Sequence, residues 1–468
     1  MRMLHSANMK IDFPLSAIIF LFFTIPTSFE TLAVNDSQMQ VVKNLTREIL
    51  VHGQAYFNLK ELVGIGPRLS GSENAAKAVD WGRKKMESYG FDRVRLQAVS
   101  VPKWKRGPTE QATAITKKFS KTLHITALGN SVGTPHSGLE AEVIEVQSLE
   151  EVNKLANKVK GKIVFFNRAM DPAQVYAFDA YEGACDQRED GASQAAKYGA
   201  IAVLVRSLTF ALDDHPHTGL VSYKKDLPSI PAAALSTNDA QMLSELIKEN
   251  SSVRIRLKLS AQQLGVTNSS NVIGEIIGSE LPEQIVLVGG HLDSWDLGQG
   301  AHDDGAGVVQ SIEVLRAIKT LNLHLRRTLR VVLFMSEEFG AFGALEYAKQ
   351  AKVNHEKHIA AIESDHGGFT PRGFILNGSD AVNDLLHSWS QYFAPIYADS
   401  VRRGEAETDV EPLGEFGIPL FSLNVDSQRY FDYHHAVGDG LSAVNARELH
   451  LGAAAMAILS YLITTQGI

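Results

Sequence analysis

Four short segments bring imidazole and carboxylate groups together without a cysteine among them: Gly289-Gly290-His291-Leu292-Asp293, Asp303-Asp304-Gly305, Ser336-Glu337-Glu338 and Glu363-Ser364-Asp365. Nitrogen and oxygen donors with no thiolate suit zinc or a similar divalent ion, and several carboxylates allow two ions bridged by one of them. His291 supplies a ring nitrogen. Asp293, two residues on, points to the same side of an extended chain and can accept the other ring N–H, fixing the tautomer. Glu337 and Glu338 are neighbours at a strand end, so their side chains diverge. One can ligate a metal while the other stays free as a base. A metal lowers the pKa of bound water towards ~7, and a free carboxylate takes its proton as it attacks. The chemistry open to this set is metal-assisted hydrolysis.

Each motif alone has an ordinary explanation: His-X-Asp as a structural hydrogen bond, Glu-Glu as a solvated face, Asp-Asp before glycine as a helix cap. Their placement argues otherwise. After Asn271 the sequence alternates strand and helix, with strands expected over 285–288, 329–335, 359–362 and 419–425. Helices are expected over 305–319 and 340–351, and an amphipathic closing helix over 443–464. That rhythm predicts an α/β sheet with helices on both faces. Three of the motifs directly follow a strand and Asp303-Asp304 stands where the first helix begins, so all converge on the carboxyl edge where open α/β sheets bind ligands.

Upstream, helices are expected over 41–62 and 72–89, separated by the Gly/Pro-rich loop Gly64-Ile65-Gly66-Pro67-Arg68-Leu69-Ser70-Gly71, with a strand near 94–101. The basic cluster at 102–107 breaks the pattern and reads as a solvated linker. From about 110 to 265 the texture becomes short alternating segments, such as 161–166 and 200–205, with one helix over 191–198. This predicts a separate β-rich unit interrupting the α/β domain.

The 468 residues predict two or three domains, and 44% apolar with 21% charged residues excludes a disordered, collagen-like or multi-span chain. A net charge of −8 gives no reason to expect nucleic acid or an anionic membrane as partner. Cys185 is the single cysteine, which excludes an intrachain disulfide; it is expected to be buried as a small apolar side chain. Arg2, His5 and Lys10 precede an apolar run over 17–23, then Pro26, Thr27 and Ser28, with Ala33 before a cleavage point. This is the layout of a secretory signal over 1–33, and its apolar run is too short to span a bilayer. Sequons at Asn35, Asn44, Asn250, Asn268 and Asn377 agree with export. His215 and His217 are read as part of a polar loop. His324, His355, His358 and His450 lack a partner pattern and read as surface or helix residues.

Taken in order, Gly289-Gly290-His291-Leu292-Asp293-Ser294-Trp295, Gly300-Ala301-His302-Asp303-Asp304-Gly305, Ser336-Glu337-Glu338 and Glu363-Ser364-Asp365 resemble the co-catalytic zinc aminopeptidase/carboxypeptidase family. The resemblance runs from about residue 45 to 460, with 64–72 similar to the family's amino-terminal signature. It implies a mixed sheet sandwiched by helices, interrupted by a β-rich protease-associated-like domain whose markers are Gly161-Lys162-Ile163-Val164 and Pro231-Ala232-Ala233. The chain then divides into a signal (1–33), a first peptidase part (34–109), the insert (110–267) and a second peptidase part (268–468).

The resemblance implies two zinc ions per subunit, held by His291, Asp303, Glu338, Asp365 and a final histidine. Asp303 would bridge them, His291 and Asp365 would complete one site, and Glu338 with the final histidine the other. Glu337 would be the general base, and Asp293 would be catalytic with it. The last ligand is His434 or His435; the family places it four residues before an aspartate, which selects His435 with Asp439. Gly440 stands where the family often has threonine. The resemblance also implies a cis peptide between Asp303 and Asp304. It points to a secreted exopeptidase acting on dipeptides or short peptides, in a dipeptidase or carboxypeptidase mode, as a homodimer. An aminopeptidase on the same metal core, a deacylase acting on non-peptide amides and a non-catalytic receptor-like ectodomain are the rivals.

Overall fold

The strand–helix alternation after Asn271 builds one large sheet in the computed structural model, which describes residues 36–250 and 252–468. The expected signal over 1–33 and the sequon at Asn35 lie outside the described residues. In spatial order the strands are Arg93–Lys105, Gln262–Ile276, Arg327–Phe334, Leu281–His291, Lys357–Glu363, Leu420–Val425, Pro371–Asn377 and Ser400–Arg403. The middle four run parallel. Antiparallel pairs flank them on both sides, so the sheet is mixed.

The parallel strands read as continuous apolar runs because both of their faces are covered. Val286 and Val288 pack with helices Asp36–His52, Ala306–Thr320 and Ala446–Gln466, while Leu287, Val332 and Phe334 meet Ala344 and Tyr347 of helix Phe342–Val353. Register then sets the site. His291 pairs with Phe334 and Gly289 with Glu363, so three strands release their motifs at one edge.

Several expectations change. The helix expected over 41–62 is two helices, Asp36–His52 and Ala55–Val63. They part at Gly53-Gln54, where the freed Gln54 N–H donates to Glu313 Oε2 at 3.1 Å. The closing helix, Ala446–Gln466, is not amphipathic but buried on nearly every side. It is long and apolar enough to cross a membrane, yet it packs within the core.

A second eight-stranded sheet is drawn from residues 110–259, in the order Ser120–Leu123, Glu110–Ile115, Arg254–Leu259, Leu139–Val146, Ile163–Phe166, Ala202–Arg206, Ala232–Leu235 and Ile125–Ala127. Among the described residues it carries four α-helices rather than one: Leu149–Leu155, Ala177–Glu189, Gly191–Ala196 and Thr237–Glu249. Helix Ala177–Glu189 escapes periodicity because its buried positions are Ala177, Ala180, Ala184, Gln187 and Arg188, which form no apolar stripe.

The expected solvated linker is also corrected. Pro102 to Lys105 continue the first strand across a bulge, and Trp104 is buried. Arg106 is buried as well. Its guanidinium grips Asp296 at 2.6–3.0 Å, Glu110 at 3.1 Å, and the Ala127 carbonyl. One side chain thereby ties two strands of the second sheet to the loop that follows strand Leu281–His291.

Candidate metal centre

The backbone at the carboxyl edge is shaped to let acidic groups approach one another. Asp304 Oδ2 accepts from the His291 N–H at 3.0 Å, and Oδ1 from the Gly307 N–H at 2.8 Å. This staples the end of strand Leu281–His291 to the start of helix Ala306–Thr320. A Cβ on Gly290 would stand 2.4 Å from Asp304 Oδ2, and one on Gly307 would stand 1.8 Å from the Ser364 carbonyl oxygen, so neither position admits a side chain. Asp303 is left to face the centre. The peptide bond between Asp303 and Asp304 is cis.

Around Asp303 two groups of donors form. His291 Nε2 lies 3.0 Å from Asp303 Oδ1 and 3.3 Å from Asp365 Oδ1. On the other side, His435 Nε2 lies 3.2 Å from Asp303 Oδ2 and 3.2 Å from Glu338 Oε2. His434 is also present: its Nε2 is 3.9 Å from Asp303 Oδ2, and its ring stacks on His435 with centroids 3.4 Å apart. All five candidate ligands therefore meet, although they come from five separated stretches of sequence. Zinc bonds of ~2.0–2.2 Å put tetrahedral ligand atoms roughly 3.3–3.6 Å apart, close to the spacing here.

The charge balance asks for cations. Asp303, Glu338 and Asp365 crowd together with Glu337, largely out of water, against imidazoles alone. Burying such carboxylates without compensation is costly. Burial, together with the charge of Asp303, pushes Glu338 up to about 7, even with His435 beside it. Burial works against charge on His435, but Glu338 and Asp303 hold it at about 9. Glu338 Oε1 and Asp365 Oδ1 are buried with no hydrogen bond. Sulfur-free donors in two groups sharing one aspartate, with unsatisfied oxygens between them, fit two divalent ions.

Glu337 is half-buried and is not drawn into either group. Burial, with a further push from Glu338, raises its pKa well above the usual carboxylate range, against the pull of His291. Its neighbour in space is Asp293, but not in the role read from the sequence. The Asp293 carboxylate stands 3.9 Å from His291 Nδ1, and the ring N–H instead reaches the Asp293 main-chain oxygen at 3.1 Å. The carboxylate accepts the Ser336 N–H at 2.6 Å and the Glu337 N–H at 3.2 Å. It therefore holds the Glu337–Glu338 turn, because the strand end curls and leaves its carbonyl nearer the ring.

Three further residues hold the ligands. Asp439 takes the His302 N–H at 2.7 Å and the Asp303 N–H at 3.2 Å, fixing the bridging aspartate from behind. Arg68 is fully buried and donates to the carbonyls of Leu292, Gln299 and Gly300, clamping the loop that follows His291. His217, read as part of a polar loop, is buried beside His434, whereas His215 is exposed. His358 is buried on its strand rather than at the surface, and Cys185 is only half-buried. Arg68 stands in a Gly/Pro-rich segment that drew attention as a motif; nothing in the local sequence around His217 marks it.

Asp303, Glu338, Asp365 and His435 line a cleft of about 680 Å³ that is also lined by Tyr181 and Arg188 of helix Ala177–Glu189. A larger groove of about 1210 Å³ beside Leu69, Trp104 and Asn268 contains none of the ligand candidates.

Residues 271–460 match the model of peptidase family M28. Carboxypeptidase Q of Bos taurus is 37% identical over 421 residues, covering 90% of this chain and 87% of its own. The crystal structure of a peptidase M28 precursor from Shewanella amazonensis superposes with a TM-score of 0.88 at 34% identity, covering 92% of this chain and 98% of that one. A zinc aminopeptidase from Bacillus subtilis shares the fold, with a TM-score of 0.63 at 20% identity over 89% and 96% of the two chains.

Proposed function

The chain belongs to peptidase family M28 and is a zinc-dependent exopeptidase, and from that premise we propose that it binds two zinc ions and hydrolyses dipeptides and short peptides. His291 and Asp365 would hold one ion and Glu338 with His435 the other, with Asp303 placed between the two groups. His434 stacks behind His435 and borders the cleft. Zinc, when bound, polarises the scissile carbonyl and acidifies water. Glu337 takes the proton of the attacking water and returns it to the leaving amine, a task suited to a carboxylate whose pKa is raised by burial. Asp293 orients Glu337 by holding its N–H. Arg68, Asp304 and Asp439 fix the backbone from which the ligands project.

The observation that carries this reading is the convergence of five donors from five segments, with an unligated glutamate in the same cleft. Replacing Glu337 by glutamine keeps the shape and removes the base. In E337Q, turnover of a dipeptide should fall at least 1000-fold while metal analysis still finds about two zinc ions per subunit. Unchanged turnover would remove Glu337 from its role.

The finer organisation follows the same reading. Residues 110–259, short of the expected end at 267 because strand Gln262–Ile276 pairs in the first sheet, form an inserted protease-associated-like domain that walls the cleft. The 1–33 segment directs export, and Asn44, Asn268 and Asn377, all exposed, are open to glycosylation. The family resemblance supports a homodimer.

A further inference from the structure

The cleft holds more negative charge than two zinc ions and its own arginines offset. Nine aspartate and glutamate side chains line it against two arginines. Two zinc ions balance Asp303, Glu337, Glu338 and Asp365. Arg402 pairs with Asp179 at 3.0 Å, and Arg188 with Glu189 at 3.0 Å. Glu182, Glu405 and Glu407 remain, and among the described residues none of them forms an ion pair with a lysine or arginine. Glu182 stands on helix Ala177–Glu189, whereas Glu405 and Glu407 follow strand Ser400–Arg403. The three gather around His366. Burial, then the charges of Asp179 and Glu405, raise the Glu182 pKa, while Arg402 and His366 pull it back. Glu407 is deeper, its side chain 11% exposed, with Oε1 2.8 Å from His366 Nε2 but in no hydrogen bond. His366 is 6% exposed, borders the cleft next to Asp365, and has a buried Nδ1 with no hydrogen-bond partner. Aromatic rings lead to this group. Phe178 lies against the His366 ring with centroids 3.9 Å apart, and Tyr176 meets it edge-on at 6.4 Å. Tyr176 already carries the Arg402 guanidinium on its face, 3.8 Å from the centroid.

Rings leading to carboxylates suit a side chain with an apolar stem and a cationic head, whose methylenes pack on the rings while the head reaches the oxygens. Buried acceptors without donors are costly unless a ligand supplies N–H groups. Glu407 Oε1 is one such acceptor. With its Nε2 proton towards Glu407, His366 offers Nδ1 as a second. Charge also sets the direction. Three carboxylates repel the free carboxylate at a substrate's carboxyl end, so the residue held here is the one on the amino side of the scissile bond. We propose that Glu407, with Glu182 and Glu405, binds the cationic side chain of that residue, so that the enzyme prefers short peptides with lysine or arginine before the cut. The inference rests on the exopeptidase reading and supplies its side-chain preference.

The test measures kcat/KM for lysyl-alanine, norleucyl-alanine and glutamyl-alanine on the zinc-loaded enzyme, on E407Q and on E182K/E405K. Norleucine keeps the lysine stem and lacks the charge. The wild type should favour lysyl- over norleucyl-alanine by about 10- to 30-fold, as expected for a partly solvated charge-assisted contact, with glutamyl-alanine the poorest. In E407Q the lysyl-to-norleucyl ratio should fall to about 3 or less, mainly through KM. In E182K/E405K, which alters two exposed positions, the glutamyl-to-lysyl ratio should rise about 10-fold or more. Equal hydrolysis of lysyl- and norleucyl-alanine by the wild type overturns the proposal even if no variant folds. So does a lysyl preference that both variants leave intact. Equal losses on lysyl- and norleucyl-alanine in E407Q would assign Glu407 to the α-amine or to the fold, and overturn the side-chain assignment. Failure of the zinc-loaded wild type on all three dipeptides would instead defeat the exopeptidase reading.

Discussion

His217 Nδ1 lies 2.7 Å from the main-chain oxygen of His434, joining a loop of the second sheet to the histidine pair at the metal centre. The next residue extends the link. The Thr218 N–H donates to the His435 carbonyl at 3.0 Å, and His435 Nδ1 lies 3.3 Å from the Thr218 carbonyl oxygen. That last contact directs the other ring nitrogen of His435 at Asp303 and Glu338. Burial lowers the His217 pKa to about 4, so its ring is neutral and donates from Nδ1.

Removing this prop should loosen one ion and not the other. In H217A the zinc held by Glu338 and His435 should bind about 10-fold more weakly, because the His434 carbonyl next to the ligand His435 loses its anchor. H217N, whose side-chain amide can replace the Nδ1 donor, should keep most of the affinity. Stepwise zinc removal by a competing chelator reads both ions separately. Equal weakening of both, or of neither, would contradict the link.

Asp293 should behave as a support for the base rather than for the metal. Its carboxylate holds the N–H groups of Ser336 and Glu337, while His291 is oriented by a carbonyl that any residue at 293 would supply. D293A should therefore lower kcat by about 100-fold and D293N by about 10-fold, with KM and zinc content little changed. Loss of zinc from the His291 side in D293A would return Asp293 to the role of a histidine partner.

Much of this centre is legible in the sequence because parallel strands in register release consecutive motifs at one edge, so His291, Glu338 and Asp365 can be placed together without coordinates. The choice between His434 and His435 is another matter. Both rings reach the centre, and their ranking depends on a backbone at φ +62° and a carbonyl from Thr218. Contacts between distant segments leave no local trace: nothing around Arg106 announces that Asp296 lies within 2.6 Å of it, and a basic run looks the same whether solvated or buried. Helix Ala177–Glu189 was missed for a related reason. Its inner face is alanine, glutamine and arginine, small side chains that join the core beside a buried guanidinium and leave no apolar stripe.

Zinc removal should cost stability as well as activity. Without cations the centre leaves Asp303, Glu338 and Asp365 facing one another with only imidazoles between. A ligand present at about 1000 times its Kd stabilises the folded state by about 4 kcal/mol per site. Exhaustive chelation should abolish hydrolysis and lower the Tm by several degrees, and zinc should restore both. A chelated protein that melts unchanged and still cleaves dipeptides would refute the metal centre.

Acid stability offers a test away from the metal. His358 is buried with Nε2 2.8 Å from the Tyr347 hydroxyl, which also receives Arg330 Nη1 at 2.7 Å. Burial and the Arg330 charge hold its pKa at about 4, against an ordinary value of 6.5. The unfolded chain therefore takes up the proton first. The stability this residue contributes is full above about pH 6.5 and is lost as pH falls towards 4, a difference of roughly 3 kcal/mol. H358Q keeps an acceptor for Tyr347 and cannot titrate. Between pH 7 and pH 4.5 its stability should fall less than that of the wild type by about 2 to 3 kcal/mol in urea unfolding, any zinc loss being common to both. Parallel curves would mean that His358 is charged in the folded protein.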